Sequence, residues 1–239
     1  MIDENNPAGR LYKILSSIKA MPSNLRALDA WATIVQCPQN DREVTLAVLD
    51  LYNLSQQVQA LIKLHDEANE QLYLKSFQTI DKAFFPLNLS LSIEATQALI
   101  TDEALTRLQF CAEALGNDFP ENAILQSQLN KAEDMVNKLI EEIERTELPA
   151  TLKWMLLEQN YKVKRSISTY HAQGAKGLKE SSNCLLGTMI GMDERLKRMD
   201  DKLLLTKIGN LIKYLDDIAS KALRIKSMGR RIDSLLPKL

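Results

Sequence analysis

Side chains able to do chemistry are scarce in this chain. Its two histidines, His65 and His171, are too few for a histidine metal site unless carboxylates or cysteines help, and no such ligand pair stands at a useful spacing. Cys37, Cys111 and Cys184 are scattered and odd in number. That predicts no disulfide framework and points to a reducing compartment. No Ser–His–Asp or Cys–His arrangement, zinc finger, P-loop or Gly-rich phosphate loop is present. The many carboxylates fall on the solvent faces of expected helices. One pair of suitable types remains, Arg165 and His171: an arginine could hold phosphate charge and a histidine could move a proton. Six residues are ~600° of rotation at ~3.6 residues per turn, so these side chains diverge unless the helix end distorts. The plainer reading is a solvated arginine beside a helix-terminal histidine that interacts with the dipole. The expectation is no catalytic residue, no metal, no cofactor and no enzymatic activity.

Binding chemistry is better represented. Lys221, Arg224, Lys226, Arg230 and Arg231 form a basic patch that could track phosphates. It lacks the interleaved aromatics of single-strand binders, Tyr214 being the only aromatic after Tyr170. Half of the eight glycines lie at Gly174, Gly177, Gly187 and Gly191. The first two, next to Tyr170, predict a turn that folds one helix back on the next. Gly187-x-x-x-Gly191 fits close helix packing. Its apolar run, CLLGTMIGM, has nine residues, against about 20 for a membrane span. A constitutive span is not expected, although a short hydrophobic hairpin inserting after oligomerisation is an alternative.

The elements that must carry these residues are helical. Among 239 residues, 45% are hydrophobic and 26% charged, with only 8 Gly and 7 Pro against 39 Leu; turn-rich β folds and disordered chains need other compositions. The opening MIDENNPAGR is acidic and polar, which argues against a signal peptide and for a cytoplasmic protein. Prolines punctuate the chain. Asn6-Pro7 starts a helix over 7–20, Ser23 caps one over 24–36, and Asp41 opens a long one over 41–84 with interruptions at His65, Asn69 and Ser76. PLNLSLS at 86–92 reads as a loop. Helices follow at 93–100 and 102–115, the second capped by Thr101 and stopped by Gly116. Asp118-x-x-Glu121 reads as a capping box.

Beyond it lie long helices near 120–147, 149–173 and 178–236. The last carries a heptad stripe that includes Leu204, Ile208, Leu211, Leu215, Ile218 and Ile225. So long a seam has to be covered by another helix, from this chain or a partner. The fold expected is an all-α, elongated helical bundle with long antiparallel coiled-coil-like helices. Residues 1–116 form an acidic helical region, and 117–239 a long-helix region that is basic after 150. The charge is polar: residues 1–150 hold 12 Lys+Arg and 22 Asp+Glu, residues 151–239 hold 18 and 9. The basic part could meet the acidic part of this or another copy, an anionic partner, or water.

Two likenesses attach to these motifs. Tyr170-His-Ala-Gln-Gly174-Ala-Lys-Gly177-Leu178, with CLLGTMIG after it, the opening Asn6-Pro7-Ala8-Gly9-Arg10-Leu11 and the stretch Leu108-Gln-Phe-Cys111-Ala-Glu-Ala-Leu115, resembles recurrent features of an uncharacterised all-helical bacterial protein family. That resemblance implies a bacterial, cytoplasmic setting near phage-defence or mobile-element systems, and brings no catalytic residue. Arg165-x5-His171 is similar to the Arg-x(4–6)-His element of HEPN-type ribonucleases, which are also all-helical. It would imply phosphate stabilisation by Arg165 and proton transfer by His171, often across a dimer. The function expected is a non-enzymatic interaction or assembly module that self-associates or binds a helical protein. Nucleic-acid binding, HEPN-like cleavage and membrane activity are the alternatives.

Overall fold

Asn6 opens the first helix as a cap: its side chain accepts from the Gly9 N–H at 3.0 Å, with Pro7 in the first turn. From there a computed structural model describes residues 5–65, 69–191 and 202–225. The helices are α1 (Pro7–Lys19), α2 (Ala27–Val35), α3 (Asp41–His65), α4 (Glu70–Leu74), α5 (Phe77–Phe84), α6 (Glu94–Leu99), α7 (Asp102–Asp118), α8 (Gln126–Arg145), α9 (Ala150–Ser168), α10 (Tyr170–Gly191) and α11 (Lys202–Ala222). Among the described residues there is no strand. The fold is all-α. The chain forms two compact units: residues up to Glu121 with His171–Gly174, and Asn122–Tyr170 with residues from Ala175 onward.

Unit 1 is built from short helices around large side chains. Trp31, Phe77 and Phe84 are fully buried with Leu11, Leu15, Leu51 and Ile80, and the Trp31 and Phe84 rings lie 5.9 Å apart. The single helix expected over 41–84 is instead α3, α4 and α5, broken near His65, Asn69 and Ser76. The physical reason is visible at Asp81 on α5. Its carboxylate accepts from Ser55 at 2.7 Å, Gln56 at 3.0 Å and Gln59 at 3.1 Å, all on α3, so α5 must fold back. The 86–92 segment is a loop that leans on the start of α2. The Ala27 N–H donates to the Leu91 carbonyl and the Ile93 N–H to that of Leu25, both at 2.8 Å.

Two expected boundaries are corrected in α7. Thr101 caps it, its side chain accepting from the Ala104 N–H at 3.1 Å, but the helix runs through Gly116 to Asp118. A glycine permits a helix end without imposing one. The capping box at Asp118 and Glu121 does not form, because tertiary partners take both side chains: Asp118 pairs with His65, and Glu121 with Arg10. The next helix starts later, at Gln126, where the Gln128 side chain accepts from the Leu125 N–H at 3.1 Å.

Unit 2 packs α8, α9, the part of α10 after Gly174, and α11. Its core is aliphatic, with Val136, Leu139, Leu156, Val163, Leu178, Leu185, Ile208 and Leu215 buried. Polar pairs tie the helices. Ser166 on α9 meets Ser181 on α10 at 2.8 Å, Lys207 on α11 grips Glu142 on α8 at 2.7 Å, and Lys179 pairs with buried Asp216 and donates to Ser220 at 2.9 Å. The continuous helix expected over 178–236 is corrected too. α10 ends at Gly191, and α11 closes after Ala222 on Arg224, whose φ of 55° is left-handed. The Ile225 N–H returns to the Ser220 carbonyl at 3.0 Å and that of Arg224 to Lys221 at 3.3 Å, the bond pair that closes a helix on a left-handed residue. Asn122 fastens this end: its N–H donates to Ala222 at 2.9 Å, and its side-chain oxygen accepts from Arg224 at 3.1 Å. The seam positions Met192, Leu196, Met199, Gly229, Ile232 and Leu236 lie outside the described residues.

Candidate functional site

The sequence-selected residues divide by what surrounds them. Leu204, Ile208, Leu211, Leu215 and Ile218 are all buried in unit 2's own core. These five seam positions are covered from within the chain. Ile225, beyond the end of α11, is half exposed. In the basic patch, Lys221 pairs with Asp217 at 2.7 Å and Arg224 holds Asn122; Lys226, Arg230 and Arg231 lie outside the described residues. The patch is therefore partly a helix-end fastening.

The helix expected over 149–173 ends earlier, at Ser168, and Gly174 marks a kink inside α10. The φ of this glycine is +64°, and a Cβ there would overlap the guanidinium of Arg10. That guanidinium is buried against Glu121, their side chains 9% and 6% exposed, and also donates to the Asn5 carbonyl. Gly177 is buried inside α10 with helical geometry. Gly187 and Gly191 are both exposed, and among the described residues a Cβ on either meets nothing within 4 Å, so no close helix approach is seen there. Tyr170 is a positioning side chain, its hydroxyl accepting from the Ile124 N–H at 2.9 Å. Arg165 belongs to unit 2 and is exposed, whereas His171 belongs to unit 1 and is half-buried. Burial pushes the Cys111 thiol up to about 12, so it is a core side chain rather than a nucleophile. Among the described residues no group of three His, Cys, Asp or Glu side chains could hold a metal ion, and no helix is long and apolar enough to cross a membrane.

Two surface features escaped the sequence reading. In unit 1, α4 and α7 border a groove of about 530 Å³ lined by Leu72, Tyr73, Thr106, Phe110 and Ala114, with Glu103, Arg107 and Glu113 at its edges. Leu72 and Phe110 are 64% and 55% exposed. Arg107 ties the two helices of the groove together. It donates to the Leu72 carbonyl on α4 and to the Glu103 carboxylate at 2.8 Å on α7. The bond from Arg107, reinforced by Lys75, holds the Glu103 carboxyl below the usual glutamate range. In unit 2, the outer face of α9 presents Trp154 and Tyr161, 63% and 48% exposed, beside Lys162 and Arg165. Tyr161 donates to Glu144 at 3.2 Å and Lys162 pairs with Glu158 at 2.8 Å. The signal for both features was an aromatic off the buried stripe. Phe110 stands apart from Ala104, Leu108, Cys111 and Leu115, and Trp154 and Tyr161 from Leu152, Leu156, Val163 and Ile167.

Comparison with protein-family models, with curated proteins and with solved structures gives no match.

Proposed function

We propose that this chain is a non-enzymatic helical interaction module of a bacterial, cytoplasmic system, and that it works by docking a helical partner. The observation that carries the reading is the α4–α7 groove. Two large apolar side chains, Leu72 and Phe110, stay open to water there and line one concavity, whereas other exposed side chains of unit 1, such as Leu64 and Leu91, do not line it. An exposed apolar concavity with polar edges is the usual form of a partner surface. The long helices of unit 2, coiled-coil-like and antiparallel in this reading, serve as the scaffold, since their seam faces inward. A phage-defence or mobile-element setting, as the motif likeness implies, belongs to the same proposal.

Replacing Phe110 with a photo-crosslinking phenylalanine, in the native host, tests it. The expected result is one discrete protein adduct, absent when the crosslinker replaces the exposed Leu91 instead. No adduct, or the same adducts from both positions, would contradict the reading.

A second reading is favoured by the α9 face. Exposed Trp154 and Tyr161 beside Lys162 and Arg165 offer rings and cations to a single-stranded nucleic acid. Oligonucleotide binding that weakens on raising salt and drops in Trp154→Ala would support it; indifference to that substitution removes it.

A further inference from the structure

Resting on the docking reading, the groove also carries information about its occupant. Its lining comes from two helices, Leu72 and Tyr73 on α4, Phe110 and Ala114 on α7, rather than from the edge of a sheet. An apolar groove between two helices suits an amphipathic helix, which lays its apolar face into it with its own backbone bonds already closed. The groove is also poorly equipped to orient a small ligand. Its arginine is engaged by Glu103 and by the Leu72 carbonyl.

Charge differs between its ends. At one end Glu103 is neutralised by Arg107 at 2.8 Å and approached by Lys75 at 3.8 Å. Ten residues further along α7, or ~15 Å at ~1.5 Å per residue, Glu113 is exposed and has no ion-pair or hydrogen-bond partner among the described residues. Asp118, one turn beyond, is held by His65. The residues up to Glu121 carry 9 Lys+Arg against 16 Asp+Glu, so the surroundings attract positive charge. We infer that the groove binds a cationic amphipathic helix of a partner protein, with apolar side chains on Leu72 and Phe110 and a lysine or arginine against Glu113. Preformation by Arg107 lowers the ordering cost on this side of the complex.

The test uses the full chain and two synthetic helical peptides of one apolar pattern, one with leucine and lysine, its twin with leucine and glutamate. Binding is followed by fluorescence anisotropy. The lysine peptide is expected to bind, at least ~10-fold more weakly to Phe110→Ser, as for a central apolar contact. Glu113→Lys should weaken it several-fold at low salt, with the difference lost near ~1 M salt, where screening is nearly complete. Circular dichroism and melting of both variants should match wild type, since both positions are exposed. If the glutamate twin binds as well, and Phe110→Ser weakens it equally, the cationic assignment is overturned while helix docking stands. If neither peptide binds, or Phe110→Ser changes nothing, both fall.

Discussion

Unit 1 and unit 2 reach an all-helical core by different means. Unit 1 wraps short helices around Trp31, Phe77 and Phe84 and turns α5 back on α3 through Asp81. Unit 2 lays long helices side by side on Leu, Ile, Val and Ala, and ties them with Lys207–Glu142 and Lys179–Asp216. A regular stripe closes on itself in unit 2, so its repeat marks the inside of the molecule. In unit 1 the irregular helices leave an apolar concavity between α4 and α7. The difference teaches that a long heptad seam is evidence of burial, whereas the apolar surface left open lies off the stripe.

The sharpest way to break the comparison is to remove one member of the buried ion pair in each unit. Glu121→Ala strands the buried Arg10 guanidinium, whose Nε and Nη2 already find no hydrogen-bond acceptor among the described residues. Lys179→Ala takes the paired ammonium away from Asp216, whose side chain is 1% exposed. Each should cost about 3–5 kcal/mol in urea unfolding. Glu121→Ala should lower the transition reported by the fluorescence of Trp31 in unit 1, read with Trp154→Phe as background, and Lys179→Ala that of unit 2.

Next comes the contrast of seam and groove. Ile208→Ala, in the packed core of unit 2, should lose about 2–5 kcal/mol, while Phe110→Ala should stay within about 0.5 kcal/mol of wild type in thermal melts. Equal losses would erase the distinction between them. Gly174→Ala should follow, destabilising by about 1–3 kcal/mol because a left-handed backbone is strained for any side chain, and shifting Arg10, whose guanidinium occupies that space. Rescue by Arg10→Ala is not expected, since buried Glu121 would then lose its paired guanidinium.

The smallest effect is the acid response of the groove. Glu103 has a folded-state pKa depressed by the Arg107 bond. Its contribution is present above the ordinary glutamate value of about 4.3 and is lost as pH falls through the lower folded value. Titration followed by the NMR signals of the Glu103 side chain should therefore show it protonating on that acid side in wild type, and at higher pH in Arg107→Lys.

Much of this was legible in the residues. Asn6-Pro7 and Thr101 mark helix starts that the structure uses, and the breaks after α3 fall near His65, Asn69 and Ser76, where the stripe falters. Gly174 and Gly177 read as a turn between helices; Gly174 takes a positive φ, but as a kink inside α10. What could not be read depended on tertiary partners. Asp118 and Glu121 have the spacing of a cap, yet His65 and Arg10, distant in sequence, take them. Arg224 sits in mid-stripe, and it is Asn122, about a hundred residues earlier, that fastens the end of α11 there. The groove needed α4 and α7 together, so neither Leu72 nor Phe110 could announce it alone.

Hydrogen exchange of the full chain with and without the leucine–lysine peptide tests the central claim most directly. The account predicts added protection in α4 and in α7 around 106–114, with α11 already protected and unchanged. Added protection across α11, with none in α7, would show that the seam meets partners and would contradict it.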